Sequence, residues 1–221
     1  SYLNDLIQYN HVLKQRNSLL KQFADRDFFD GALLQQYTDQ LIEIGQRIYQ
    51  VRKNFTQAFR PLVQKHYALL SEESEQVALQ YESDFAQDIA ALFKQNQKKD
   101  LILKRTNVGI HKDEFLFEME GELIKKFGSQ GQQKSYLIAL KLAHFDYIFT
   151  ETEIKPMLLL DDIFDKLDDF RITKLMEMVA SDAFGQIFVT DARPERSQKI
   201  FEAIGHEVKF FEVEGGEIEA K

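Results

Sequence analysis

Pro156-Met157-Leu158-Leu159-Leu160-Asp161-Asp162-Ile163-Phe164-Asp165-Lys166-Leu167-Asp168 is the stretch from which the fold is read. Four apolar residues, Met157 to Leu160, run straight into two carboxylates. A short apolar run bounded by a proline reads as a strand buried on both faces. Acids at the end of such a strand are costly unless something neutralises them. In an open α/β sheet, ligands sit just outside the carboxyl ends of the strands. Asp161 and Asp162 therefore mark a candidate ligand site, and a magnesium ion carried with phosphates suits hard oxygen donors placed there. A solvated acidic turn after a buried strand is the plain alternative. Asp168 closes the stretch as a helix N-cap residue.

Downstream, Asp168 opens a helix with Ile172, Leu175, Met176 and Val179 on one face. Gln186 to Asp191 reads as a second buried strand, Pro194 opens a short helix, and Val208 to Val213 pairs with the segment around Ile218 as a hairpin across Gly215-Gly216. Strand and helix alternate here, which argues for an α/β sheet with a parallel part.

Immediately upstream stands Gly128-Ser129-Gln130-Gly131-Gln132-Gln133-Lys134-Ser135. Ser129 with Gln132 three residues on is a capping-box pattern, and a helix follows to about Phe149. Glycines at a helix mouth leave backbone N–H groups open to an anion that the helix dipole favours. An ordinary capped helix after a glycine turn reads equally well from these residues alone. Before it, Phe115, Phe117 and Met119 alternate along a strand. Glu120-Gly121 turns it into a partner strand carrying Leu123 and Phe127. Gly109-Ile110-His111-Lys112-Asp113-Glu114 precedes that pair; with no second histidine nearby, His111 and Asp113 make a weak metal motif.

The first third is helical. Leu3, Leu6, Leu13 and Leu20 fall near heptad spacing. After a turn at 25–30, Tyr37, Leu41, Ile44, Ile48, Val51, Phe55 and Ala58 alternate spacings of four and three. Pro61 is expected to kink or interrupt this second helix. The two stripes face each other in a helical hairpin arm over residues 1–72, leaving 73–221 as a second part. Residues 76–82 read as a strand, and Ser83 starts a helix to about Lys94. Lys98, Lys99, Lys104 and Arg105 then form a solvated charge cluster, with a small phosphate-contacting patch as the sharper option.

Composition bounds the rest. The 221 residues are 44% hydrophobic and 12% aromatic, enough for one large domain or two small ones. There is no cysteine, and no run of roughly 18 apolar residues to span a membrane, so a cytosolic protein without disulfides is expected. The net charge is −8. Residues 1–100 carry 12 Lys and Arg against 13 Asp and Glu, and residues 101–221 carry 16 against 23. A strongly basic nucleic-acid domain is excluded. The chain opens on Ser rather than Met, which reads as processing, a cloning scar or an excised fragment.

Taken in order, Gly128 to Gln132, Asp161-Asp162 and Asp165-Lys166-Leu167-Asp168 resemble the signature, Walker B strand and D-loop in the C-terminal lobe of an ABC-type ATPase head. The Gly-Ser-Gln-Gly-Gln wording and the 109–114 motif narrow the resemblance to the RecF family, bacterial relatives of the SMC and Rad50 ATPases. It covers essentially the whole chain. Ile110, Lys112, Glu114 and Asp165 depart from the family's usual residues, and Thr190-Asp191 stands where many ABC ATPases have a histidine. Ser129, Gln130, Gly131 and Gln132 are then implied at the γ-phosphate of a nucleotide held by the other subunit of an ATP-driven homodimer. Asp161 is implied as the Mg2+ holder, Asp162 as the residue that orients the attacking water, and Asp168 as crossing the interface. The resemblance implies a slow ATPase that binds DNA at junctions of double and single strands and works with RecO and RecR to load the RecA recombinase. The chain has no Gly-x-x-x-x-Gly-Lys-Ser/Thr loop to cradle phosphates. That loop is expected in a lobe before residue 1, leaving the chain inactive alone. Two other readings stay open: a nucleotide-kinase-like enzyme using a degenerate loop at 128–135, and a non-enzymatic module whose helical arm binds a protein.

Overall fold

The computed structural model describes residues 1–26, 29–71, 75–161, 167–180, 185–192, 198–199, 201 and 208–220. They fall into two units, one of Ser1–Pro61 with Ala78–Glu118, the other of Leu62–Val77 with Met119–Lys221.

Two helices open the chain, α1 (Tyr2–Arg26) and α2 (Gly31–Ser71). The buried face of α1 runs through Tyr9, Val12, Arg16, Leu20 and Phe23 rather than along the leucine stripe, and Leu3 is 63% exposed. The spacing is still helical: Leu20 lies within the buried face, Leu6 and Leu13 are half-buried at its edge, and Leu3 falls outside it. In α2 the expected heptad holds through Leu41, Ile44 and Ile48. It then slips: Thr56 and Phe59 are buried, whereas Val51 is 47% exposed. A straight helix drifts ~20° per heptad against a strict seven-residue repeat, so the buried stripe of a 41-residue helix moves off a heptad pattern. Pro61 does not interrupt α2. It lies on the exposed side, where a carbonyl deprived of its N–H partner turns to water.

The first unit's core gathers Tyr9, Val12, Ile44, Ile48, Phe85 and Phe93 among others. Strand β1 (Val77–Glu82) lies beside β2 (Glu114–Met119), and Tyr81 stacks on Phe115 at 5.2 Å. The helix expected from Ser83 is a 3-10 turn at Asp84–Ala86. The α-helix proper, α3 (Ile89–Leu103), is capped by Asp88 and carries Lys98 and Lys99 on helix rather than loop.

In the second unit the expected partner strand is cut short. Strand β3 (Glu122–Leu123) gives way to one helical turn, α4 (Ile124–Phe127), and Phe127 is 68% exposed instead of facing a sheet. Helix α5 (Gln130–Thr152) buries Tyr136, Ile138, Ala139, Leu142 and Ala143. Strand β4 (Leu158–Asp161) pairs in parallel with β5 (Ile187–Thr190), Leu158 opposite Ile187 and Asp161 opposite Thr190. Only one face of β4 is buried among the described residues: Leu158 and Leu160 are inside, while Leu159 is 64% exposed. Helix α6 (Asp169–Ala180) packs by Ile172, Leu175 and Met176. A hairpin of β6 (Phe211–Glu214) and β7 (Glu217–Ala220) follows, turning at Gly215 and Gly216, whose φ of 60° and 90° suit glycine and a right-twisted hairpin. The helix expected after Pro194 lies largely outside the described residues. No described helix is long and apolar enough to cross a membrane.

Candidate functional site

The predicted capping box is present. Ser129 Oγ accepts the Gln132 N–H at 3.2 Å, and Gln132 Oε1 accepts the Ser129 N–H at 2.7 Å. The chain enters this turn through Gly128, where an added Cβ would stand 2.6 Å from Ile124 Cγ1 and 2.7 Å from its carbonyl oxygen. The first turn of a helix has no intrahelical acceptors for its N–H groups. With Gln132 capped, Gln130 and Gly131 present theirs at the helix mouth. Ser129 and Gln130 are exposed, and Gly131 and Gln132 are half-buried. Local sequence explains all of this, since every partner lies within four residues.

Gln132 has a second commitment that the sequence did not announce. Its Nε2 donates to Glu75 Oε1 at 2.8 Å, while Glu75 Oε2 accepts the Tyr67 hydroxyl at 2.5 Å. Burial, followed by that bond to a carboxylate, raises the Tyr67 phenol well above its ordinary range, fixing it as a donor. Arg171 Nη2 stands 3.6 Å from the same Glu75 Oε1. Arg171 also holds Asp168: its backbone N–H donates to Asp168 Oδ1 at 2.8 Å and its Nη1 to Oδ2 at 2.7 Å. Asp168 is thus the predicted cap of α6. Ser129, Gln132, Glu75, Arg171 and Asp168 form one connected polar chain inside the second unit. Glu75 and Tyr67 carried no signal in the sequence. Arg171, three residues after an N-cap aspartate, carried one that was not read.

Asp161 ends β4 with an exposed carboxylate, and the Thr190 hydroxyl, opposite it in the parallel register, donates to its Oδ1. Thr190 therefore engages the first acid from the position where a histidine was looked for. Asp162 and residues 163–166 lie outside the described residues. Among the described residues no group of three or more His, Cys, Asp or Glu is gathered that could cage a metal. Magnesium, however, is commonly held by one or two carboxylates together with substrate phosphates and water. An exposed aspartate at a strand's carboxyl end, oriented by a hydroxyl, fits that use.

The 109–114 motif serves the first unit. Gly109 has φ 127°, and a Cβ there would meet the Tyr9 hydroxyl at 2.3 Å. The Thr106 carbonyl can only accept, so His111 donates to it from Nε2 at 3.2 Å and accepts the Tyr9 hydroxyl at Nδ1, also 3.2 Å. Asp113, 2% exposed at its side chain, takes Arg52 Nη1 at 2.7 Å and the Tyr81 hydroxyl at 2.5 Å. His111 and Asp113 are thereby spoken for by α1, α2 and β1. The segment 128–135 follows the helical turn α4 rather than a strand, which removes the strand–loop–helix setting that a phosphate loop needs.

No protein-family model matches the chain. It is 47% identical over 212 residues to the DNA replication and repair protein RecF of Flavobacterium johnsoniae, covering 96% of this chain and 59% of that protein. It is 45% identical over 219 residues to RecF of Cytophaga hutchinsonii, covering 99% and 58%. Among solved structures it resembles the recombination mediator protein RecF with ATP, of the RecFOR pathway, at a TM-score of 0.77 and 26% identity, over 100% of this chain and 58% of that one. An SMC ATPase structure matches at a TM-score of 0.51 and 16% identity, over 78% of this chain and 87% of that one, a likeness of fold. The architecture is that of an α/β lobe of an ABC-type, SMC-like ATPase head with a helical hairpin arm. The chain spans 58–59% of the length of these curated relatives.

Proposed function

The chain belongs to the RecF family, and from that premise we propose that it forms part of an ATP-dependent DNA-binding protein of replication and recombinational repair. In this reading two copies close face to face over ATP and magnesium. The phosphate loop is supplied by sequence outside these 221 residues. The N–H groups of Gln130 and Gly131 and the Ser129 hydroxyl bind the γ-phosphate of the nucleotide on the opposite subunit, where the helix dipole favours negative charge. Gln132 closes the cap that holds them. Asp161 holds the magnesium, which when bound shields phosphate charge. Asp162 orients the attacking water. Asp168 reaches the partner subunit. ATP binding joins the dimer and hydrolysis releases it.

The DNA substrates are junctions of double and single strands, and the partners are RecO and RecR in loading RecA. The place of action is the cytoplasm. Overall acidity fits a protein whose DNA contacts are local patches rather than a broad basic face.

One observation carries the reading. In a single unit, a capped helix mouth whose first N–H groups have no acceptor among the described residues and an exposed strand-end aspartate are both present, and the helix mouth is wired to the N-cap of the helix following the second acid. The test is Ser129→Arg in the intact protein, which places a long cation where the γ-phosphate oxygens bind. ATP-driven dimerisation, followed by light scattering with magnesium and ATP, is expected to disappear. Dimers that persist would sink the assignment of 129–132.

A further inference from the structure

Glu75 belongs to none of the motifs, yet among the described residues it bridges the two ends of the candidate site, bonding Gln132 and facing Arg171. Its carboxylate accepts Gln132 Nε2 at 2.8 Å, stands 3.6 Å from Arg171 Nη2, and accepts the Tyr67 hydroxyl at 2.5 Å. Glu75 and Arg171 are each 18% exposed at the side chain. A charge pair this far from water is weakly screened, and losing one partner leaves the other short of compensation. Arg171 has little slack: its buried Nε already lacks a hydrogen-bond partner among the described residues. Its other groups hold both oxygens of Asp168.

The same contacts fix Gln132. Its carbonyl oxygen is taken by the Ser129 N–H and its amide by Glu75. The side chain cannot reach a ligand without surrendering two bonds. Gln132 therefore acts through Ser129, and Glu75 acts through Gln132.

We propose that Glu75 is a positioning residue which, through Gln132 on one side and Arg171 on the other, locks the Ser129 cap and the Asp168 cap into one frame, so that the mouths of α5 and α6 meet the partner subunit together. This rests on the reading of Ser129 and Asp168 given above. Neither helix mouth can shift alone. A nucleotide drawing the Ser129 turn forward pulls on Glu75, and Arg171 transmits the pull to Asp168. Tyr67 anchors the far oxygen of the carboxylate to α2.

The test uses the intact protein and compares the ATP-driven dimerisation constant with the melting temperature. Glu75→Gln keeps the size and one acceptor oxygen for Gln132, turns the other oxygen into an NH2 group that can donate to the Tyr67 oxygen, and removes the charge that faces Arg171. It is expected to weaken dimerisation about tenfold, the scale of one charge-assisted hydrogen bond, with only a small fall in melting temperature, because Arg171 keeps its ion pair with Asp168. Arg171→Met is expected to weaken dimerisation to a similar extent and, by leaving Glu75 without its cation, to lower the melting temperature as well, and the double variant is to dimerise no worse than either single one, because residues of one bridge do not add. Additive losses, or a fall in melting temperature with an unmoved dimerisation constant, would overturn the frame and leave Glu75 a structural residue. Ser129→Arg, measured alongside, separates the two ideas. If it abolishes the dimer while Glu75→Gln does not, only the frame fails. If it leaves the dimer intact, the reading of the site fails and takes the frame with it.

Discussion

His66 shows how a single buried side chain sets a pH limit. It is 4% exposed, with Nε2 2.8 Å from Asp146 Oδ2, an oxygen that Lys65 Nζ also approaches at 3.1 Å. Its Nδ1 is buried without a hydrogen-bond partner among the described residues. Protonation there would bury an N–H with no acceptor, and burial lowers the His66 pKa below its usual 6.5 even though Asp146 pulls the other way. His111 is lowered for the same first reason, the Thr106 carbonyl offsetting it in part. The unfolded chain thus takes up protons near pH 6.5 that the folded chain refuses. Stability is fully present above that pH and declines as pH falls toward the folded values, with a slope approaching about 1.4 kcal/mol per pH unit for each histidine. Urea unfolding from pH 7.5 to 5.5 is expected to show this decline, and His66→Gln is expected to flatten it by roughly half. A slope indifferent to His66→Gln would place the acid sensitivity elsewhere.

At the scale of elements, the helical arm is set in register by charge as well as by apolar packing. Arg16 of α1 and Asp100 of α3 are 1% and 0% exposed and joined at 2.8 Å. Arg16 also donates to Thr38 of α2 at 3.1 Å and to Thr106 at 2.7 Å, and lies over the Phe93 ring at 5.3 Å. Asp100 Oδ1 accepts both the backbone and side-chain N–H of Asn107 at 2.9 Å. Breaking such a pair from one side strands a buried charge. Arg16→Met is expected to cost about 3–5 kcal/mol in denaturant unfolding, whereas adding Asp100→Asn, which removes the stranded charge and keeps an oxygen for Asn107, recovers much of the loss. If the double variant is as unstable as the sum of the singles, the pair does not set the register. This cluster also marks what the sequence leaves unread. The Ser129–Gln132 cap, the α6 cap at Asp168 and the Gly215-Gly216 hairpin were legible because their partners lie within a few residues. The α1 stripe was misplaced onto leucines because its true centre is an arginine, acceptable there only through a carboxylate 84 positions away. Glu75 was silent for the same reason, its partners standing at 132 and 171. Residues 109–114 were singled out as a motif, but their work is defined by Tyr9, Arg52 and Tyr81, which no local pattern ties to them.

For the whole molecule, the proposed reading turns on the acid assigned to magnesium and the helix mouth assigned to phosphate serving different nucleotides. In a two-fold dimer each face meets its own copy, so residue i of one subunit contacts residue j of the other and the reverse. Under the proposed reading each ATP lies between Asp161 of one copy and Ser129 of its partner. A dimer of Ser129→Arg chains then spoils both sites, and so does a dimer of Asp161→Asn chains. A mixed dimer keeps one site whole, with Asp161 from the first variant and Ser129 from the second, and loses the other twice over. An equal mixture of the two intact variant proteins is therefore expected to recover ATP-dependent phosphate release to between about a quarter of the unaltered protein's rate, if chains pair at random, and about a half, if only mixed dimers form, since each mixed dimer has one working site. Recovery depends on the mixed dimer forming through its single sound site, so release should rise with protein concentration. If the mixture stays as inactive as either variant at concentrations where the unaltered protein is fully dimeric, the two residues serve one nucleotide within one subunit, and the face-to-face arrangement is wrong.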